Sequence, residues 1–190
     1  MRVEAWLDRR PARLWWLLAL VGVCTVAVLP TALPVLPAND IGWTYGSDPQ
    51  LGETVGWPEM VAAVDSVWKA LPAGQRVHAV IFTADYGEAG AINELGRGAG
   101  LPTAVSGHNT EWFWGPGDRA AETILAVAPG PLDVTGYSNF LRQLCGQVRT
   151  AATLSNPAGI HNQEWGGHVY LCTDLKQPWP QEWGRLRHYS

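Results

Sequence analysis

The sequence predicts an α/β domain, with a mainly parallel sheet and flanking helices, preceded by one transmembrane helix. Three observations carry that expectation. An uncharged apolar run lies near the amino terminus, short β-branched runs of strand length follow it, and these alternate with stretches whose apolar residues recur at helical spacing. In such sheets the loops leaving the carboxyl ends of the strands gather on one edge, where ligands usually bind.

Residues 1–13 form a basic segment, with Arg2, Arg9, Arg10 and Arg13 against Glu4 and Asp8. Residues 14–37, "LWWLLALVGVCTVAVLPTALPVLP", carry no charge, and the 23 residues from Leu14 to Leu36 reach the length that spans a bilayer. Trp15 and Trp16 stand where an interfacial aromatic belt forms, directly after the arginines. Those arginines are expected to stay cytoplasmic, which places everything after Pro37 on the outer side. Pro30, Pro34 and Pro37 make the exit end of the helix irregular. A cleaved signal peptide is the alternative, although no small-x-small cleavage site precedes Asn39. Both readings export the domain.

Residues 38–56, "ANDIGWTYGSDPQLGETVG", read as a polar, turn-rich linker, and 57–190 as the exported domain. "WPEMVAAVDSVWKAL" begins with Pro58 and Glu59, both suited to a first helical turn, and Val61, Val64, Trp68 and Leu71 form a buried stripe. "VHAVIFT", 77–83, is a strand, and "ADYGEAGAINELG" a loop opening into a short helix. "LPTAVSG" and "ETILAVA" are the next strands, with an aromatic loop between them. "YSNFLRQLC" is a helix, "VRTAATLS" and "GHVYLCTDL" are strands, and the tail "PWPQEWGRLRHYS" is aromatic and basic.

Composition narrows the function. The chain has a net charge of −4, but beyond residue 37 there are 9 basic against 15 acidic residues, a net −6. Such a domain offers no electrostatic footprint for phosphate backbones, so nucleic acid is not expected as a partner. Cys24 lies within the apolar run, whereas Cys145 and Cys172 form an even pair in the exported part, where an oxidising compartment makes them candidates for a disulfide.

Four stretches carry candidate chemistry. In "TADYGEAGAINELG", a turn at a strand end opens a helix, but Asp85 and Glu88 would repel a phosphate and no G-x-G-x-x-G is present. A neutral sugar suits this edge better, because carboxylates accept hydrogen bonds from hydroxyls, and Tyr86 and Glu88 are its candidate contacts. In "SGHNTEWFWGP", His108 and Asn109 offer donors and acceptors while Trp112 and Trp114 offer flat apolar faces for a pyranose. Alternation places both tryptophans on one side with Phe113 opposite, so at least one face is expected in the core. In "HNQEWGGH", Asn162 and Glu164 organise a loop, and the spacing of His161, Glu164 and His168 matches no familiar metal pattern. The fourth, Ser106 beside His108, lacks the G-x-S-x-G elbow and is too little for a catalytic triad.

Taken in order, "LPVLP", "ETVGWPEMV", "VWKALP", "ADYGEAGAI", "GLPTAVSGHNTEWFWGP", "NQEWGGHVYLC" and "PWPQEWGRLRHY" resemble the carboxyl-terminal end of bacterial GT-C membrane glycosyltransferases. These belong to glycosyltransferase family 39, the superfamily of protein O-mannosyltransferases and aminoarabinose transferases. The resemblance covers residues 14–189 and implies a last transmembrane helix followed by an extracytoplasmic domain. It further implies transfer of a mannose-like sugar from a polyprenyl-phosphate donor to an extracytoplasmic acceptor. The family's catalytic carboxylate lies in a first extracytoplasmic loop among several preceding spans, so no catalytic residue carries over. The expected partners are therefore membrane lipid, a sugar or glycan, and a missing amino-terminal membrane portion or a membrane partner. No cofactor beyond that donor is identified. The competing class is a non-catalytic, membrane-anchored module that binds carbohydrate or docks a partner.

Overall fold

The structure is a computed structural model and describes residues 12–33, 35–42, 49–128, 130 and 134–189. The basic segment up to residue 11, Pro34 and linker residues 43–48 lie outside the described residues. The chain divides into two units, Met1–Thr54 and Val55–Ser190.

In the first unit, helix α1 spans Ala12–Ala32 with Pro30 inside its last turn. Its Ala12–Pro30 window is long and apolar enough to cross a membrane, with a mean hydropathy of 2.0 and none of it buried in the protein. The expected linker contains a 3-10 turn at Ala38–Asp40 and one helical turn, α2, at Pro49–Gly52.

The second unit is a mixed α/β domain. Its elements are α3 (Trp57–Ala70), α4 (Ala73–Arg76), β1 (Ala79–Thr83), α5 (Tyr86–Leu95), β2 (Val105–Ser106), β3 (Thr123–Ala128), α6 (Val134–Leu144), β4 (Cys145–Thr153), β5 (His168–Leu175) and α7 (Trp179–Trp183). The five strands form one sheet in the order β2-β1-β3-β5-β4. Strand β1 pairs parallel with both β2 and β3, but β5 runs antiparallel to β3 and to β4. The expectation of a mainly parallel sheet is therefore corrected. A parallel pair needs a crossover of a dozen or more residues, usually helical. The 154–167 connection between β4 and β5 folds into turns, and the two strands pair directly as antiparallel neighbours.

Both faces of the sheet are covered. Met60, Val61, Val64 and Val67 of α3 and Ala89 and Ile92 of α5 pack on Ala79, Ile81, Leu125 and Val127. Val80, Phe82, Ile124 and Ala126 point the other way, onto Tyr137, Leu141 and Leu144 of α6 and Trp179 and Trp183 of α7. Strands β1 and β3 are buried at every position, which is why they read as unbroken apolar runs.

Cys145 and Cys172 are joined in a disulfide with a Cα–Cα separation of 5.8 Å, buried beneath α6. The bond ties β4, an edge strand among the described residues, to its neighbour β5 across a sequence separation of 27 residues. Closing a loop of that length stabilises a domain by about 3 kcal/mol. Reducing the bond, or making Cys145→Ala with Cys172→Ala, is expected to lower unfolding free energy by that order in denaturant titration, with β4 exchanging its amide hydrogens first.

Candidate functional site

The path of the chain creates the site. Strand β1 leads into α5 on one face of the sheet and β3 leads into α6 on the other, so a crevice opens beyond the carboxyl ends of these adjacent strands. The cleft there has a volume of about 600 Å³. Phe82, Ala84 and Asp85 wall one side, Tyr137 and Phe140 of α6 another, and His108, Gln163 and the segment Arg185–His188 close it. A hollow of about 670 Å³ lies at the opposite edge, near His78, Arg119 and Glu122, but its ionisable side chains are all exposed.

Asp85 organises the rim. It is the N-cap of α5 in a capping box: its carboxylate accepts from the Gly87 N–H, and Glu88 reaches back to accept from the Asp85 N–H at 3.0 Å. The other Asp85 oxygen, Oδ2, stands 2.7 Å from Nδ1 of His108. A carboxylate only accepts, so Nδ1 carries the proton and Nε2 is left to accept from Nδ2 of Asn109 at 3.0 Å. Asn109 makes this contact from a left-handed backbone (φ 53°), a conformation asparagine tolerates. His188 stacks on His108 at 4.9 Å with ring planes 11° apart, and Tyr86 lies 5.0 Å from His108 on another side. Gly107 allows this closeness, because a Cβ there would sit 2.2 Å from the Leu186 carbonyl oxygen.

Beneath the rim lies a buried acidic floor. Glu88 is 1% exposed. Burial raises its carboxyl well above the usual range, and the nearby carboxylates of Glu164 and Asp85 push in the same direction. Burial likewise raises the Tyr137 phenol, with a further push from Glu88. The Tyr137 hydroxyl has no hydrogen-bond partner among the described residues.

The residues singled out in the sequence separate into distinct roles. His108 and Asn109 stand at the crevice, and Tyr86, half exposed, stands at its rim. Glu88 and Glu164 lie under it, buried from solvent. Asn162 is structural: its Nδ2 donates to the Val55 carbonyl and its Oδ1 accepts from the Trp165 N–H. Residues Asn109–Trp114 form a 3-10 helix, not an extended alternating segment, so Trp112 and Trp114 do not share a face. Trp112 turns inward and exchanges hydrogen bonds with Trp183, indole N–H to carbonyl in both directions. Trp114 points outward, 82% exposed, beside Arg97 and Leu101 and away from the crevice. Ser106 is buried, donating to the Thr83 carbonyl and accepting from the His108 N–H. His161 stacks on Trp165 and His168 meets the edge of Tyr170.

Several site residues were not singled out by sequence: Asp85 as the partner of His108, together with Tyr137, Phe140, Arg187 and His188. The D-x-x-E spacing of "DYGE" was a local signal for the capping box and hence for Asp85. The tail carried no comparable signal, because its place in the crevice depends on contacts between residues far apart in sequence, such as the 104-residue separation between His188 and Ala84.

No protein-family model matches the chain, and neither a curated protein nor a solved structure matches it.

Because the folded state favours protonated Glu88, its contribution to stability is fully present below the ordinary carboxyl range and is lost as pH rises through the raised value. Glu88→Gln keeps a carbonyl for the Asp85 N–H and removes the charge. Thermal unfolding across that pH range should show the wild type losing ground to the variant as pH rises. Parallel curves would contradict the assignment.

Proposed function

We propose that this chain is the membrane-anchored, extracytoplasmic part of a glycosyltransferase that draws its sugar from a polyprenyl-phosphate carrier, and that the crevice between β1 and β3 holds carbohydrate. The observation that carries the reading is the make-up of that crevice. Tyr137 and Phe140 supply flat faces, while Asp85, His108 and Gln163 supply polar groups, two of them held in register by each other. Mostly apolar walls with a few placed polar groups are what a pyranose requires, its C–H faces on the rings and its hydroxyls on the polar set. The aromatic faces thus come from α6 in place of the tryptophans of "TEWFWG".

Two further features support export and anchoring. Helix α1 has the length and hydropathy of a membrane span, and the Cys145–Cys172 disulfide suits an oxidising compartment. One helix cannot enclose the chain of a lipid carrier. In this reading the reacting carboxylate therefore belongs to further membrane polypeptide, and this chain contributes recognition. The full chain in lipid nanodiscs should bind mannose-containing oligosaccharides saturably by saturation-transfer NMR, and Phe140→Ala should weaken binding about tenfold through loss of one ring face. Absence of saturable binding across neutral hexoses and their oligomers would defeat the proposal.

A second reading, a module that docks a membrane or envelope partner, is favoured by one observation. Trp114 and Phe113, neighbours in sequence, are 82% and 64% exposed. On that reading Trp114→Ala abolishes association with the partner, detected by cross-linking in cells, and leaves any sugar binding unaltered.

A further inference from the structure

The outer wall of the crevice is the segment Arg185–His188. Leu186 is buried in the core and anchors the segment that follows. Beyond it, His188 pairs with the stretch after β2: its N–H donates to the Gly107 carbonyl at 3.0 Å, and its carbonyl accepts from the Asn109 N–H at 2.9 Å. Arg187 lies over the rings of Trp112, Phe113 and Tyr189, within 4.7–5.1 Å of their centres.

The His188 ring makes two more contacts. Its Nδ1 stands 2.9 Å from the Leu186 carbonyl oxygen and its Nε2 stands 3.1 Å from that of Ala84, at the end of β1. Both oxygens can only accept, and a neutral imidazole has one N–H. The ring satisfies both contacts only when both nitrogens carry protons. Once it loses one, a nitrogen lone pair faces a carbonyl lone pair.

We propose that residues 187–189 form a proton-operated latch across the crevice, closed by the imidazolium of His188 bridging the carbonyls of Ala84 and Leu186. Leu186 is the hinge, and opening uncovers the His108 ring and the Ala84 carbonyl at the crevice mouth. The titratable and charged groups around His188 are Asp85 and Tyr86 from the β1–α5 turn, His108, Tyr137 from α6, Arg185, which is ion-paired to Glu182 of α7, and Arg187 and Tyr189 on its own segment. Raising pH removes the second proton and loosens the latch.

Amide hydrogen exchange of the full chain in nanodiscs, scaled for the intrinsic pH dependence of exchange, tests this. Between about pH 5.5 and about pH 8, the interval in which histidine changes charge, protection of the Asn109 and His188 amides should fall about fivefold, the factor supported by one net hydrogen bond. The β3 amides should hold their protection. In His188→Gln, whose amide donates to Ala84 at every pH, the fall should vanish. A fall of equal size in that variant would overturn the proposal, as would a pH-independent wild type. The ring ¹⁵N shifts of wild-type His188 provide a test that needs no variant: two N–H groups are expected at the lower pH, and one alone would refute the latch. The measurement uses the chain without ligand, so the latch and the carbohydrate reading stand or fall separately.

Discussion

The hydrogen bond between Asp85 and His108 is the interaction on which the rest of the crevice depends. Asp85 stands where β1 ends and α5 begins, and the same carboxylate that caps the helix also fixes the imidazole. Because the two oxygens are divided between these tasks, neither can be lost without the other moving. The helix start sets the position of the carboxylate, the carboxylate sets the tautomer of His108, and the tautomer decides that Nε2 accepts from Asn109. His188 then stacks on a ring whose plane has already been fixed.

Below this ordered rim the domain tolerates an arrangement that would be costly elsewhere. Glu88 and Glu164 bring two carboxyls close together in a region closed to water. A buried charge without compensation costs several kcal/mol, so holding a proton on Glu88 is the cheaper solution. The protonated carboxyl can still accept from the Asp85 N–H through one oxygen, so the capping box survives neutralisation. Rim and floor are therefore coupled through the Asp85 backbone amide. A group entering the crevice from above meets polar atoms already oriented by packing and by the helix start, the preorganisation that binding sites require.

The sheet explains why these groups meet. Parallel pairing of β1 with β2 and with β3 places Thr83, Ser106 and the end of β3 on one edge. Antiparallel β5 brings its first residue, His168, to the same edge, next to Ala128. One edge thus collects the carboxyl ends of four strands, β4 included through Thr153 beside His168, and the beginning of the fifth, and the loops and helix starts that follow carry most of the polar side chains of the site. The disulfide holds the far side of the sheet, where β4 is the edge strand among the described residues.

The sequence by itself determined the elements and their order. Hydrophobic periodicity, Pro58 at a helix start and the unbroken apolar runs of β1 and β3 are local signals, because burial on one or both faces dictates residue type position by position. It also determined an apolar helix of spanning length and brought His108 and Asn109 to attention through their setting in a glycine-bounded loop. Tertiary structure alone decided the direction of β5, since two strands joined without a helical crossover pair antiparallel whatever their composition. It also decided which aromatic residues face the crevice. Trp112 is drawn inward by its exchange of hydrogen bonds with Trp183, 71 residues away, and Trp114 is left outside by a 3-10 turn. Contacts between residues so far apart in sequence leave no periodic trace in it, and that is why the tail's place over His108 was visible only once the chain had folded.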